Sequence, residues 1–321
     1  MESILVTGGA GFIGSNIAEA LLAKGYRVVI LDDLSTGKME NVLDIKHENN
    51  LKFVKGSILD RGLLRSIIKT ENVSLISHQA AVSSVTKSIA DPVATMETNV
   101  SGTTNLFHIA AECGCRRIVF ASSSSVYGDA PELPKRETMT PSPKSPYAMS
   151  KVAKEMLGSI FSDLYGISII GLRYFNVYGR RQDPASDYAA VIPKFISKAL
   201  DDDPIPIDGD GGQTRDFIYI DDVVNANLSA LTGNGVRGTI FNVGNGKQTS
   251  IIELARTIVE LIGSKSEIDF KPKRAGDIRD SVSDIKNAQE NLGYRRTFNI
   301  RKGLAETIAW YRQRVCKQCV A

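Results

Sequence analysis

Metal chemistry has little to work with in this 321-residue chain, which holds three histidines and four cysteines. Cys316 and Cys319 have the spacing of half a zinc site. Cys113 and Cys115 enclose a single residue, the wrong interval for the other half of a four-ligand site. Reduced thiols of the cytosolic kind, and no metal, are expected. No apolar run approaches the ~20 residues of a membrane span. Met1-Glu2-Ser3 runs directly into Ile4-Leu5-Val6, without the basic, apolar, small-residue order of a secretory signal. A cytoplasmic chain is therefore expected. Lysines and arginines nowhere cluster with interleaved aromatics, and the formal net charge is only +3, so no nucleic-acid groove is expected. Fixed-period repeats are missing too. With 42% hydrophobic residues, disorder is excluded and a large core in about two domains is expected.

What the chain does have is an alternation. Apolar, β-branched bursts at Ile4 to Thr7, Val28 to Leu31, Leu51 to Val54, Val73 to Ile76, Ile118 to Ala121 and Ile167 to Leu172 predict strands. Helix-period segments such as Ser15 to Lys24, Thr95 to Glu112 and Tyr147 to Tyr165 lie between them. This order predicts an α/β fold, a Rossmann-type doubly wound parallel sheet with helices on both faces. After about Asn176 turns become frequent, as at Asp183-Pro184, Asp203-Pro204 and Gly209-Asp210-Gly211-Gly212, which suggests a smaller second domain of loops and short elements. Phe217 to Leu231 and Thr239 to Val243 read as a helix and a strand able to rejoin the first sheet. The expected division is residues 1–176 plus about 216–243 against 177–215 plus about 244–321.

The first strand flows into Thr7-Gly8-Gly9-Ala10-Gly11-Phe12-Ile13-Gly14. Glycine patterns alone are weak evidence, but here a strand precedes, an amphipathic helix follows, and the next strand ends in Asp32. Gly8 would permit the turn, Gly11 the approach of a pyrophosphate, and Gly14 close packing of helix on sheet. The helix N-terminus would face the phosphates with free N–H groups. Asp32 would accept from the adenosine ribose hydroxyls, and its charge would repel a 2′-phosphate, favouring NAD over NADP.

Two further stretches carry reactive groups. Ala121-Ser-Ser-Ser-Ser-Val-Tyr-Gly128 reads in isolation as a linker, but the apolar burst before it puts the serines at a strand's carboxyl end, where open α/β sheets bind ligands. Tyr147-Ala-Met-Ser-Lys151 opens a helix, and residues four apart share a face. A free phenol titrates near pH ~10, and a neighbouring ammonium should favour the phenolate, as should the positive nicotinamide of an oxidised cofactor. Tyr147 could then accept a proton from an alcohol.

TGGAGFIG with Asp32, Asn99 in TNVSGT, SSSSVYG, YAMSK and RYFNVYG together resemble the extended short-chain dehydrogenase/reductase family, from Ile4 to about Leu304. Within it the chain looks most like the nucleotide-sugar 4-epimerases, especially the UDP-N-acetylglucosamine branch. The resemblance implies catalysis by Ser123, Tyr147 and Lys151, with NAD taking hydride from C4 of the sugar and returning it to the other face. It implies a dinucleotide site of Gly8, Gly11, Phe12, Ile13, Gly14, Asp32, Ser57, Ile58, Gln79, Ala80, Asn99, Tyr147, Lys151 and Tyr174. It implies a UDP-sugar site of Ser83, Ser124, Asn176, Val191, Arg215, Arg274, Asp277 and Ser281, and a homodimer joined near Thr95 to Glu112 and Val152 to Tyr165. The two expected domains become an NAD-binding and a UDP-sugar-binding one.

Departures from the family pattern narrow the reading. Dehydratases and decarboxylases carry an acid just after the catalytic hydroxyl, where this chain has Ser124 and Ser125, so elimination lacks its proton donor and base. Ser281 stands where epimerases restricted to UDP-glucose carry a tyrosine, which leaves room for an acetamido group. Ser57 replaces an aspartate that bonds adenine in many relatives. His78 is expected to order the fourth strand end. A UDP-glucuronate (or acetylated uronate) 4-epimerase and a non-catalytic NAD-binding regulator remain as alternatives.

Overall fold

The computed structural model describes residues 1–45, 49–184, 190–233, 236, 240–273 and 279–318, the last four by backbone alone. Strands β1 (Ser3–Thr7), β2 (Arg27–Asp32), β3 (Leu51–Lys55), β4 (Val73–His78), β5 (Arg117–Ser123) and β6 (Ser168–Tyr174) join Ile240–Val243 in one seven-stranded sheet. From one edge the order runs Ile240–Val243, β6, β5, β4, β1, β2, β3. Every pairing is parallel. The strand order reverses between β1 and β4, and at such a switch point a cleft opens beyond the strands' carboxyl ends.

Alternation along the strands builds a core on each face. Ile4 and Val6 of β1 enter one cluster with Ile17, Leu21 and Phe241, while Leu5 enters the other with Leu106, Phe107, Phe120 and Phe161. Burying a side chain of this size contributes about 1.5–3 kcal/mol. Helix α1 (Phe12–Ala23) follows β1 directly. The Pro146–Tyr165 helix has a well-defined start and stop. The Ser145 hydroxyl accepts from Ala148 N–H, Pro146 takes the first turn, and Gly166 closes the helix at φ +67°.

Two sequence expectations need correction. The segment read as one helix from Thr95 to Glu112 is broken into Pro92–Met96, a π-helical turn at Glu97–Ser101 and Gly102–Glu112. The cause is Asn99 in that turn, whose amide reaches out to Val82 and Ser150. The latter half is also richer in helix than its turns suggested, with Val191–Leu200, Ile251–Ile262 and Ile300–Gln318. In Ile251–Ile262 the punctuation is itself a helix signal, because the Ser250 hydroxyl caps Glu253 N–H and Gly263 ends the helix in the left-handed region.

Candidate active site

The carboxyl ends of β1, β2, β4, β5 and β6 gather the candidate residues. Gly8 turns at φ +67° directly under the β4 end, and a Cβ there would lie 2.6 Å from Ala80 N. A Cβ on Gly14 would overlap the Gly8 carbonyl oxygen and lie 2.8 Å from its carbon. Gly11 is extended and caps α1 with no side-chain bond, which leaves the first-turn N–H groups facing the loop's mouth. Phe12 and Ile13 are half-buried beside it. This cradle, shaped by missing side chains at a helix N-terminus, fits a dinucleotide diphosphate.

Asp32 is buried, its Oδ2 accepting from Ala10 N–H and its Oδ1 from Leu34 N–H, each at 2.9 Å. Burial pushes this carboxyl up, and the two backbone bonds oppose it. Each oxygen keeps a lone pair for a ribose hydroxyl. Ser57 accepts from Leu59 N–H at 3.2 Å, so its hydroxyl is already part of a turn, and Ile58 is buried next to it.

Other expected dinucleotide residues sit at the cleft but are turned inward. Buried Tyr174 and Asn227 form a cluster with half-buried Gln79, the Tyr174 hydroxyl lying 3.3 Å from Gln79 Oε1 and 3.1 Å from Asn227 Oδ1. The Asn99 amide donates to Val82 O at 3.0 Å and Ser150 Oγ at 2.9 Å and accepts from Val82 N–H at 2.8 Å. Asn99 is thus a clamp holding the 80–82 loop to the Tyr147 helix. His78 does more than order its strand end. Its Nδ1 lies 2.7 Å from Thr7 Oγ1, and its Nε2 lies 2.9 Å from Thr103 Oγ1 and 3.1 Å from Lys154 Nζ.

Tyr147, Lys151 and Glu155 lie one turn apart along the helix and meet three consecutive residues at the end of β5. The Ser123 hydroxyl acts on the Tyr147 phenol and favours its charged form. Lys151 Nζ donates to Ala121 O at 2.9 Å and sits 5.3 Å from the Tyr147 ring centre. Ser122 Oγ donates to Glu155 Oε1 at 2.5 Å. Burial pushes the Tyr147 phenol up, and the Ser123 bond opposes it. The sequence reading counted the positive charges of the ammonium and of an oxidised nicotinamide and left this burial out. The same burial brings Lys151 down to about 8, with Glu155 resisting.

Glu155 belongs to a buried network that the sequence reading missed. Arg173 grips it with Nε at 2.8 Å and Nη2 at 2.6 Å, and Arg173 Nη1 donates to Tyr127 Oη at 2.9 Å. Tyr127 Oη in turn donates to Asn242 Oδ1 at 2.6 Å. Removing one partner of such a pair costs about 3–5 kcal/mol. The signal was a carboxylate four residues after Lys151, on the helix face that carries the lysine.

Among the expected sugar-nucleotide residues, Asn176 bonds to Asp216, Arg215 precedes that residue in sequence, and Ser281 lies two residues before its partner Ser283. Asn176 donates from its backbone N–H and its amide to Asp216 O, at 3.0 and 3.1 Å. The fully buried Asp216 carboxylate accepts from Asn245, Gly246 and Ser283 N–H and from the Ser283 hydroxyl. Arg215 donates to Thr214 O at 2.8 Å. Ser281, half-buried, follows Asp280, whose carboxylate accepts from Thr214 Oγ1 at 2.6 Å. Ser124 opens a short helical turn after β5, Ser83 is exposed before the Val85–Ala90 helix, and Val191 begins the Val191–Leu200 helix. Arg274 and Asp277 lie outside the described residues, as do Cys319 and the Cys316 side chain. Asp216, next to Arg215 in sequence, is the keystone the reading passed over.

Residues 4–244 match the NAD dependent epimerase/dehydratase family. A UDP-glucose 4-epimerase from Mycolicibacterium smegmatis is 40% identical over 97% of this chain and 98% of its own length. A UDP-glucuronate 4-epimerase from Thermodesulfobacterium geofontis is 34% identical over 98% of each. Among solved structures, UDP-N-acetylglucosamine 4-epimerase from Methanobrevibacter ruminantium, in complex with UDP-N-acetylmuramic acid, superposes with a TM-score of 0.92 at 37% identity, covering 98% of this chain and 99% of that one. With a glycine cradle, a Ser-Tyr-Lys cluster and likeness over nearly the full length, the chain belongs to the NAD-dependent epimerase/dehydratase family, as an isomerase among its UDP-sugar 4-epimerases.

Proposed function

We propose that this enzyme interconverts UDP-GlcNAc and UDP-GalNAc by inverting C4 of the sugar, with weaker action on UDP-Glc and UDP-Gal. The observation that carries the choice of sugar is Ser281, a small half-buried side chain two residues past Arg279, whose carbonyl accepts from Thr214 N–H. A tyrosine in its place would fill the space we assign to the acetamido group.

Tyr147, as phenolate, takes the proton of the 4-hydroxyl, and the Ser123 hydroxyl aligns that oxygen. Lys151 keeps positive charge beneath the phenolate. NAD, when bound, supplies the acceptor and then the donor of the hydride. Inversion requires the keto sugar to turn over, so tight anchoring has to fall on the UDP. Arg215 and Arg274 suit its diphosphate, since guanidinium forks match phosphate oxygens. Asn176, Val191 and Asp277 complete that anchor, with Ser83 and Ser124 lining the sugar pocket. In this reading Gly8, Gly11, Gly14 and Asp32 hold the cofactor directly, while Asn99 and Tyr174 act through the loops they brace.

A purified sample offered UDP-GlcNAc, UDP-Glc and UDP-GlcA should epimerise the acetylated sugar fastest, with C4 epimers separated by chromatography. Ser281→Tyr should lose UDP-GlcNAc turnover by at least tenfold while keeping UDP-Glc, the loss of about 1.4 kcal/mol of productive binding. Equal loss of both, or turnover of UDP-GlcA alone, would overturn the choice of sugar.

We read the assembly as a homodimer. Met156 (61% exposed), Ile160 (48%) and Leu164 (71%) form an apolar stripe on the Pro146–Tyr165 helix, and Ile89 (63%) and Val93 (75%) continue it on adjacent short helices. Contiguous apolar surface of this kind suits a second copy. Gly102–Glu112 contributes no large exposed apolar side chain, so the expected face shifts toward Val85–Met96.

A further inference from the structure

We propose that Glu155 is a positioning residue that holds the Lys151 ammonium in its protonated form beneath Tyr147 and pins the end of β5 that carries Ser123. The inference rests on the acid–base reading of Tyr147 given above and extends it to a residue outside the Ser-Tyr-Lys set.

The geometry places phenol, ammonium and carboxylate in a column on one helix face. Each meets a different one of three consecutive residues at one strand end: Tyr147 the Ser123 hydroxyl, Lys151 the Ala121 carbonyl, Glu155 the Ser122 hydroxyl. A shift of Glu155 therefore moves the residue beside Ser123. Arg173 reaches from β6 and takes both carboxylate oxygens, which fixes the column against a third element.

The charges around Lys151 single out Glu155. On its own helix Lys151 faces Tyr147, Lys154 and Glu155, from β4 it faces His78, and from β5 it meets the Ala121 carbonyl. Lys154 and His78 are completely buried against each other, 3.1 Å apart. Burial pushes both well down, helped at His78 by the charges of Lys154 and Lys151 and at Lys154 by that of Lys151, and neither an imidazole nor an amine can carry negative charge here. Neither offers Lys151 a counter-charge. Glu137 acts on Tyr127 and is itself influenced by Arg173, away from the lysine. Glu155 is the carboxylate that opposes the desolvation of Lys151.

The sign of the effect follows. A lysine is charged below its pKa, and burial has already brought this one to about 8. Without the carboxylate the charged form loses further support, so the ammonium disappears at a lower pH and takes the phenolate's stabilisation with it. Because the two groups titrate as a pair, the shift is read as a change in an apparent value.

The test compares wild type with Glu155→Gln and with Glu155→Gln/Arg173→Gln. The double variant removes the uncompensated guanidinium and serves if the single variant fails to fold. Glu155→Asp keeps the charge and is the rescue. Two readouts are taken on the NAD-bound enzyme: the pH profile of kcat, and the NMR titration of ε-carbon-labelled lysine, assigned to Lys151 through its loss in Lys151→Met. The expected result is an alkaline limb and an NMR midpoint at least one pH unit lower in the folded neutral variants, with KM nearly unchanged and Glu155→Asp closer to wild type. One unit is a tenfold change in the ammonium-to-amine ratio. A folded neutral variant that keeps the wild-type midpoint overturns the proposal. The NMR titration needs no sugar, so inactivity of the wild type toward UDP-sugars would count against the proposed function alone.

Discussion

Tyr147→Phe should lower kcat by about a thousandfold while leaving the fold and NAD binding intact. General acid–base catalysis by a positioned side chain contributes typically ~10²–10⁴ in rate, and no other group at the β5 end can replace this one. The Ser123 hydroxyl is too weak an acid, and Lys151, already bonded to the Ala121 carbonyl, lies beneath the ring rather than beside the hydroxyl's partner. The removed hydroxyl acts on one side chain, Ser123, so the stability cost should be no more than about 1 kcal/mol. Thermal unfolding and stopped assays of epimer formation would check both halves. A variant that still turned over at a tenth of the wild-type rate would mean that another group moves the proton. A protein acting only as a dinucleotide sensor would keep its function in this variant.

The second large effect concerns the glycine cradle, and there the two substitutions separate by mechanism. Gly11→Ala meets the Gly8 carbonyl at 3.2 Å, a tight contact relieved by a shift of a few tenths of an ångström, and Gly11 is already extended, so the empty protein should lose far less stability than with Gly14→Ala. Its new methyl group nonetheless projects where a diphosphate would approach α1. Gly14→Ala overlaps that same Gly8 carbonyl, which cannot move without dragging the turn that sits against Ala80. Helix and loop must part. Both variants should lose NAD affinity by about a hundredfold or more, roughly 2.7 kcal/mol, while only Gly14→Ala should also lower the melting temperature by several degrees. Titration with NAD and calorimetry without it would check the split. Wild-type affinity in Gly11→Ala would remove the loop from the cofactor site.

The sheet and the meeting of Tyr147 and Lys151 at the end of β5 were readable in the residues because their signals are local. A strand, a glycine turn and a capped helix are contiguous in sequence, and Tyr147 and Lys151 are four residues apart on one helix. What escaped was long-range. Glu155 meets Arg173 across eighteen positions and Ser122 across thirty-three, and no spacing rule links them. Asp216 gathers Ser283 from 67 residues away. The π-helical turn around Asn99 was invisible for the same reason, since its cause lies in Val82 and Ser150. The helices of the latter half were hidden by the glycines and prolines between them, which read as irregular chain although several of these residues start or stop helices. For Tyr147 the neighbouring ammonium was visible in the sequence, whereas the burial that raises the phenol was not.

The central claim is that one carbon of the sugar loses and regains its own hydrogen inside a dry site lined by Tyr147, Ser123 and Lys151. The most direct measurement uses UDP-GlcNAc, and in parallel UDP-Glc, deuterated at C4 and converted in ordinary water, with the label in the epimer read by NMR. The account predicts that the product keeps deuterium at C4, because the hydride never reaches solvent. Loss of the label to water would contradict it, pointing to proton abstraction at carbon in place of hydride transfer.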